Sequence, residues 1–324
     1  MTSERRPTLD VSGLEKVYRL GSFPHKVRIR ALDRVDLHVE SAEPAIISVV
    51  GESGSGKTTL AKVILRLVDA TAGTASVCDL VVAGPGAKPS KSVFLRSVQP
   101  IFQNPFEAFS SYRTVDAYLY DTATRVAKYD RQDAIASMTD ALRAVGLKYD
   151  DVKGKYPNQF SGGELQRISI ARALIPRPRL IVADEPVSMI DASLRMNIVN
   201  LFRRLKLDYQ TSFLYITHDL ATAYYISDYI AVMYRGTIVE FGPARQVLGD
   251  PRHPYTRLLL DSIPRVGHKW ERGTFAAADL EAKEFQLEGC KFRHRCPLAA
   301  EICERERPSA VRKEDGREVA CHMA

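Results

Sequence analysis

Residues 51–58 of the chain read Gly51-Glu52-Ser53-Gly54-Ser55-Gly56-Lys57-Thr58. The octet fits the pattern G-x-x-x-x-G-K-[ST] of a phosphate-binding loop. The apolar, β-branched run at 45–50 predicts a buried parallel strand before the loop, and the helical spacing of apolar residues at 59–68 predicts a helix after it. Since the motif requires this strand–loop–helix context, we predict a nucleotide site here, rather than a glycine- and serine-rich turn before an ordinary helix.

Each residue type of the loop suits a bound phosphate. The glycines allow backbone N–H groups to turn inward around an anion, and the N-terminus of the following helix adds partial positive charge. Lys57 supplies a positive charge for the β- and γ-phosphates, and Thr58 offers a hydroxyl ligand to Mg²⁺. We therefore expect ATP and Mg²⁺ as cofactors. The predicted nucleotide-binding positions in this segment are Gly51, Ser53, Gly54, Ser55, Gly56, Lys57, Thr58 and Thr59.

Composition and charge place the chain among ordinary globular proteins. Its 324 residues are enough for about two domains. The longest apolar runs are far shorter than the ~20 residues that span a bilayer. Residues 1–7 have no apolar stretch after their charges, so we expect a cytosolic protein without a signal peptide. The net charge of +7 is scattered along the chain, which favours a solvated surface over a nucleic-acid partner.

Two further predicted strands end in groups that suit phosphate chemistry. The apolar run at 180–183 leads into Asp184 and Glu185, and the run at 213–217 leads into His218. The carboxyl ends of parallel strands meet at one edge of a sheet, so these groups are expected to face the phosphate-binding loop. Asp184 would hold Mg²⁺, Glu185 would orient or deprotonate an attacking water, and His218 would reach the γ-phosphate.

A second helix start offers another anion site. Residues 160–167 read Phe-Ser-Gly-Gly-Glu-Leu-Gln-Arg, and an amphipathic helix is predicted to follow and to stop before Pro176. Ser161 is a good N-cap, and the N–H groups behind it are free to bind an anion. One nucleotide does not need two such helix ends from one chain. Two chains packed head to tail would use both, with each chain capping the nucleotide of the other.

The order of these motifs resembles that of the ATP-binding-cassette ATPases over nearly the whole chain. The matching segments are 51–58, Gln103 within Ile-Phe-Gln-Asn-Pro, the signature Ser161-Gly162-Gly163-Glu164, Asp184-Glu185, Ser188-Met189-Ile190-Asp191 and His218. The resemblance implies that Tyr18 stacks on adenine, that Gln103 senses Mg²⁺ and the γ-phosphate, and that Asp191 bridges two protomers. Phe160 stands where leucine is usual and Glu164 where glutamine is common, yet no catalytic group is lost.

The resemblance also implies the organisation of the chain. We expect an α/β fold of the P-loop NTPase (RecA-like) type, with a parallel sheet between helices. Residues 8–245 would form the nucleotide-binding domain, with a helical subdomain at about 104–160 whose helices span 114–126 and 131–145. Residues 246–324 would form a small cysteine-rich extension. Strand and helix patterns alternate at about 8–100 and 175–245, which predicts that both stretches contribute to one parallel sheet with helices on both faces.

The C-terminal extension resembles that of oligopeptide and dipeptide importer ATPases. The resemblance rests on residues 253–259, His-Pro-Tyr-Thr-Arg-Leu-Leu, and on the cysteines Cys290, Cys296, Cys303 and Cys321. Disulfides are disfavoured in a reducing cytosol, and structural zinc usually has closely spaced cysteine pairs. A [4Fe–4S] cluster accepts four widely spaced thiolates, and basic residues at 291–295 would offset its charge. An iron–sulfur cluster is therefore the favoured prediction, with Zn²⁺ or reduced thiols as alternatives.

These features together predict the ATP-hydrolysing subunit of a membrane importer for peptides or similar oligomeric solutes. The expected partners are two permease subunits, a second ATPase that is either a sister chain or a second copy, and, indirectly, an extracytoplasmic solute-binding protein. The chain would work at the cytoplasmic face of the membrane. The alternatives are a soluble cassette ATPase of a repair, translation or metabolic complex, and a regulatory module without turnover. The transported solute stays open.

Overall fold

The strands of the protein fall into two sheets. A computed structural model describes residues 7–20, 27–41, 43–86, 88–262, 284–285 and 287–324. Within those ranges the strands form one sheet of four and one of eight. The strands are β1 (Pro7–Leu20), β2 (Val27–Glu40), β3 (Ile46–Val50), β4 (Ala72–Val77), β5 (Leu80–Ala83), β6 (Val98–Ile101), β7 (Leu180–Asp184), β8 (Ser212–Thr217), β9 (Tyr229–Tyr234), β10 (Thr237–Pro243), β11 (Val311–Arg312) and β12 (Glu318–Val319).

Helices alternate with groups of strands along the chain. They are α1 (Lys57–Ile64), α2 (Lys91–Ser97), α3 (Val115–Asp121), α4 (Arg131–Ala144), α5 (Tyr149–Val152), α6 (Gly162–Leu174), α7 (Ala192–Asp208), α8 (Leu220–Ile226), α9 (Ala244–Gly249), α10 (Pro254–Asp261) and α11 (Ile302–Arg305). A π-helical turn at Thr122–Val126 extends α3, and short 3₁₀ turns lie at Pro105–Ala108, Pro157–Gln159 and Arg293–Arg295. The helix predicted at 59–68 thus begins and ends earlier, at 57–64.

The larger sheet places the carboxyl ends of its parallel strands side by side. Its order is β11-β12-β10-β9-β3-β8-β7-β6, and β9, β3, β8, β7 and β6 are parallel. The phosphate-binding loop follows β3 and His218 follows β8. Asp184 is the last residue of β7 and Glu185 follows it, while Gln103 follows β6. The parallel sheet and the α/β P-loop fold predicted from the sequence are therefore confirmed.

The N-terminal strands do not belong to this parallel sheet. β1, β2, β4 and β5 form a separate antiparallel sheet in the order β2-β1-β4-β5. The expectation that residues 8–100 feed one parallel sheet is therefore wrong for these strands. Only six residues, 21–26, separate β1 from β2, and a parallel crossover needs a dozen or more residues. The shared core that packs α1 between the two sheets includes Leu14, Leu37, Val49 and Leu60.

Residues 104–160, which the structure describes throughout, form helices and no strand. Their buried side chains, such as Leu119 and Met138, pack in one core with Leu165 of α6 and with Tyr215 of β8. Helices lie where the sequence predicts them, at 115–126 and 131–144. The division into a domain at 8–245 and an extension at 246–324 stays a prediction.

The C-terminal residues are attached to the larger sheet. β12 pairs with β10, and β11 pairs with β12, so the chain end adds two short antiparallel strands to the sheet edge. The fully buried carboxylate of Glu240 accepts hydrogen bonds from the backbone N–H groups of Arg252 and His253, at 2.9 and 3.0 Å. The neighbouring core includes the rings of Tyr255 and Phe292. Residues after 245 therefore pack on the nucleotide-binding part of the molecule.

Candidate nucleotide site

The phosphate-binding loop lies so close to its neighbours that two of its glycines have no room for a side chain. A Cβ on Gly51 would lie 2.1 Å from the carbonyl oxygen of Met233, and one on Gly56 would lie 2.5 Å from that of Ala31. Gly56 has φ +106°, in the region that favours glycine. The tight turn between β3 and α1 therefore follows from the glycines of the motif, as the sequence predicts.

Lys57 is buried within the loop and is held by it. Its Nζ donates hydrogen bonds to the carbonyl oxygens of Gly51 and Glu52, at 2.8 and 2.7 Å, and to Oγ of Ser55 at 3.3 Å. Burial lowers the pKa of Lys57, and the charges of Glu185, Asp184 and Glu52 act in the opposite direction. The acidic neighbours therefore favour an ammonium group at the place where phosphates are expected.

Asp184 and Thr58 lie together as the predicted Mg²⁺ ligands require. Thr58 Oγ1 donates to Asp184 Oδ1 at 3.4 Å. Burial raises the pKa of Asp184; the hydrogen bond from Thr58 lowers it and the nearby charge of Glu185 raises it. Carboxylate and hydroxyl oxygens suit Mg²⁺, which is bound by few protein ligands together with phosphates and water. The two side chains fit that ion.

Glu185 stands at the centre of the predicted catalytic residues. Gln103 Nε2 donates to its Oε2 at 3.2 Å, and Nδ1 of His218 lies 3.1 Å from its Oε1. The backbone of Glu185 has φ +46°, which is rare for a residue with a side chain, and its N–H donates to the carbonyl of Ile216. Such backbone strain occurs where the surrounding structure holds a functional group in place. The structure therefore brings Gln103, Glu185 and His218 together.

Ser161 caps α6 as predicted. Its Oγ accepts from the N–H of Glu164, while the Glu164 carboxylate accepts from the N–H and hydroxyl of Ser161. These hydrogen bonds stay within the cap, and Ser161 is exposed. Gly162 and Gly163 lie close to the carbonyl of Met189 and the side chain of Leu194. The signature segment therefore forms a helix N-terminus with an accessible cap.

Asp191 and Tyr18 make no side-chain hydrogen bond with Gln103, Glu185 or His218 among the described residues. Asp191 is the exposed N-cap residue of α7. Tyr18 lies half-buried in β1, with the ammonium of Lys16 5.2 Å from its ring centre. A bridge between protomers for Asp191 and adenine stacking for Tyr18 stay predictions. Ser53 is exposed and Thr59 is half-buried next to the loop.

The sequence pattern missed three residues at the loop. Glu52 occupies a variable position of the octet, and its contacts come from Tyr255 and Arg295. Those partners lie 203 and 243 residues further along the chain, so no local spacing could have indicated them. The sole signal is the choice of a carboxylate at residue 52, between two small residues.

The four clustered cysteines do not form a ready metal cage. Among the described residues, no group of three or more His, Cys, Asp or Glu side chains is arranged to hold a metal ion. The described residues therefore show no preformed site for the predicted [4Fe–4S] cluster on Cys290, Cys296, Cys303 and Cys321, or for its zinc alternative. None of the four thiols forms a disulfide among the described residues. Burial raises the pKa of Cys290 to about 11, and the charges of the other three cysteines add to that rise.

Fold and site together define a P-loop ATPase. A family model described as "ABC transporter" matches residues 32–188, and one described as "Oligopeptide/dipeptide transporter, C-terminal region" matches residues 239–303. In the solved structures, an ADP- and phosphate-bound dimeric ATP-binding cassette, MJ0796, superposes with a TM-score of 0.63 at 24% identity. That match covers 73% of this chain and 99% of the other.

Similar proteins of known sequence match almost end to end. The di/tripeptide transport ATP-binding protein DppF of Pseudomonas aeruginosa is 35% identical, over 94% of this chain and 93% of its own length. The putative oligopeptide transport ATP-binding protein YkfD of Bacillus subtilis is 37% identical, over 98% and 96%. The chain therefore belongs to the ABC transporter family of ATP-binding proteins, and it is an ATPase. None of the helices in the described ranges is long and apolar enough to cross a membrane.

Proposed function

We propose that the chain is the ATP-hydrolysing subunit of a membrane importer that takes up dipeptides or oligopeptides. The observation that carries the proposal is the catalytic cluster around Glu185, on a chain whose C-terminal region matches that of peptide transporters. The names of the full-length relatives support the same solute class. A cassette of this kind needs separate permease subunits, so we propose two of them as partners at the cytoplasmic face of the membrane.

We propose the following role for each group during turnover. The loop amides and Lys57 would bind the phosphates of ATP, and Thr58 and Asp184 would hold Mg²⁺, which neutralises the developing charge. The Glu185 carboxylate would accept a proton from the attacking water, with Gln103 and His218 fixing its orientation. We propose that a second chain, either a sister ATPase or another copy, caps this nucleotide with its Ser161, Gly162 and Gly163, and that Asp191 lies at that interface.

Purification from solubilised membranes tests the transport role. Tagged chain is expected to bring down two permease proteins, and cells lacking the chain are expected to lose uptake of a labelled dipeptide or oligopeptide. An extracytoplasmic solute-binding protein would be required for that uptake but would not touch this chain. Recovery of the chain with nucleic acid or soluble enzymes alone, with peptide uptake intact, would favour the soluble alternative.

We also propose that the four cysteines hold one [4Fe–4S] cluster. One supporting observation concerns Arg293, whose Nε and Nη1 are buried without a hydrogen-bond partner among the described residues. In the sequence, Arg293 lies between Cys290 and Cys296. Buried donors without a partner need an acceptor, and the sulfur atoms of an anionic cluster could supply one. A four-iron cluster is also larger than a single ion, so its ligands need not meet as closely as those of zinc. We assign it no part in ATP hydrolysis.

Metal analysis of anaerobically purified protein tests the cluster. The protein is expected to be brown and to contain about four irons per chain, the stoichiometry of this cluster type. Replacing the buried Cys303 by alanine is expected to remove the iron while nucleotide binding persists. Cys78→Ala is the matched control and should keep the iron, because Cys78 follows β4, far from the cluster in sequence. Colourless protein with one zinc per chain would favour zinc, and metal-free protein with a folded tail would contradict both.

A further inference from the structure

The C-terminal extension forms hydrogen bonds with the phosphate-binding loop at Glu52. The backbone N–H of Glu52 donates to the hydroxyl of Tyr255 at 2.9 Å. Its carboxylate accepts two hydrogen bonds from the guanidinium of Arg295, from Nη1 to Oε2 at 3.0 Å and from Nη2 to Oε1 at 2.8 Å. Residues from the last quarter of the chain therefore contact the nucleotide-binding motif directly.

Arg295 and Tyr255 are themselves held by an aromatic cluster. The guanidinium of Arg295 lies 5.9 Å from the ring centre of Tyr234 and 5.8 Å from that of Phe292. Tyr255 is fully buried, with its ring centre 4.5 Å from that of Tyr234. A bidentate pair between arginine and carboxylate is among the stronger polar contacts in proteins. Here both side chains are largely shielded, with exposed fractions of 22% for Arg295 and 31% for Glu52.

Glu52 also contacts the groups of the loop that are expected to bind phosphate. Its carbonyl oxygen accepts hydrogen bonds from Nζ of Lys57 at 2.7 Å and from the N–H of Ser55 at 3.2 Å. The N–H and carboxylate of Glu52 are thus held by the extension, while its carbonyl contacts the loop. A rotation of the backbone at residue 52 would change the position of Lys57 and of the loop amides.

Other ion pairs also attach the extension to the rest of the chain. Lys291 pairs with Asp33 at 2.8 Å and Arg307 with the same carboxylate at 3.2 Å, while Arg235 pairs with Glu284 at 2.9 Å. Burial opposes ionisation of Asp33, but the hydrogen bond and charge of Lys291 and the charge of Arg307 outweigh it and lower the pKa of this carboxyl. The pair between Arg295 and Glu52 is therefore one of several ion pairs that attach the extension.

We propose that Arg295 and Tyr255 are positioning residues that hold the phosphate-binding loop, through Glu52, in the shape that accepts ATP. The extension would thereby set the affinity for ATP and leave the chemical step at Glu185 unchanged. This goes beyond the proposed transport function, because it applies to ATP turnover by the purified chain whatever solute is carried.

Steady-state kinetics of the full chain test this proposal. Arg295→Gln and Glu52→Gln are each expected to raise the KM for ATP by roughly tenfold, the scale of one charge-assisted interaction, with kcat within about twofold. The double variant is expected to be no worse than either single variant, because both remove the same interaction. Arg295→Lys keeps the charge but loses the paired hydrogen bonds, and an intermediate KM is expected.

The matched control is Arg305→Gln, which removes an exposed ion pair with Glu301 from the same extension. It is expected to leave KM unchanged. Tyr255→Phe removes only the hydroxyl at Glu52 and should also raise KM, so the proposal is still tested if Arg295→Gln fails to fold. An unchanged KM in both Arg295→Gln and Tyr255→Phe would overturn the proposal. So would effects of Arg295→Gln and Glu52→Gln that add in the double variant, or a loss confined to kcat.

Discussion

Replacing Glu185 by glutamine is expected to lower ATP turnover by roughly 10²–10⁴-fold, the usual scale for a positioned acid–base group. Glutamine keeps the size of the side chain, so contacts with Gln103 and His218 are retained in part, but it cannot take a proton from water. ATP should still bind, since Lys57 and the loop amides are untouched. Measuring kcat beside equilibrium ATP binding separates the two effects.

A matched control for this variant is Glu314→Gln, which neutralises an exposed carboxylate in the C-terminal tail. Turnover by that control should match the unmodified protein. Because ATP persists on the Glu185→Gln protein, we also expect it to accumulate in the closed two-chain state, seen as an ATP-dependent rise in molecular mass. Near-normal hydrolysis by Glu185→Gln would show that another group is the base.

The sequence predicts those parts of the site whose residues lie in short, contiguous segments. The loop at 51–58, the carboxylates at 184–185 and the histidine at 218 each follow a short apolar strand, and adjacent parallel strands bring their ends together. The resemblance predicts Gln103, which lies 3.2 Å from Glu185; its role as a sensor of Mg²⁺ and the γ-phosphate stays a prediction. Local patterns predict these residues correctly because the segments follow adjacent parallel strands, whose carboxyl ends lie at the same edge of the sheet.

The parts that the sequence does not predict depend on contacts between distant segments. Nothing in the sequence near Glu52 or Arg295 indicates that the two side chains pair. Their contact depends on how the C-terminal residues pack on β9 and β10. The addition of β12 to β10 is equally hidden, since β12 is two residues long. The sequence pattern predicts the wrong sheet for the N-terminal strands, because strand patterns alone do not show which sheet a strand joins.

Arginine in place of Ser161 is expected to stop ATP hydrolysis almost completely while leaving ATP binding to one chain intact. In the two-chain arrangement, the cap of α6 would face the γ-phosphate held by the partner chain. The new side chain adds bulk and a positive charge there and removes the Oγ that caps the helix. The phosphate-binding loop of the same chain is unchanged. Turnover, nucleotide binding and ATP-dependent dimer formation in the Glu185→Gln background are the measurements.

Ser90→Arg is the matched control, because Ser90 is also an exposed N-cap whose side chain accepts from a backbone N–H, that of Val93. Both variants should lose about 1 kcal/mol of stability through the missing cap, but only Ser161→Arg should abolish turnover and the ATP-dependent dimer. Mixing Ser161→Arg with Glu185→Gln chains sharpens the test. In a mixed dimer, the intact catalytic residues of the Ser161→Arg chain would face the intact cap of its partner, so part of the activity should return. If folded Ser161→Arg protein cannot bind ATP even as a monomer, the cap acts within its own chain and the two-chain arrangement is wrong.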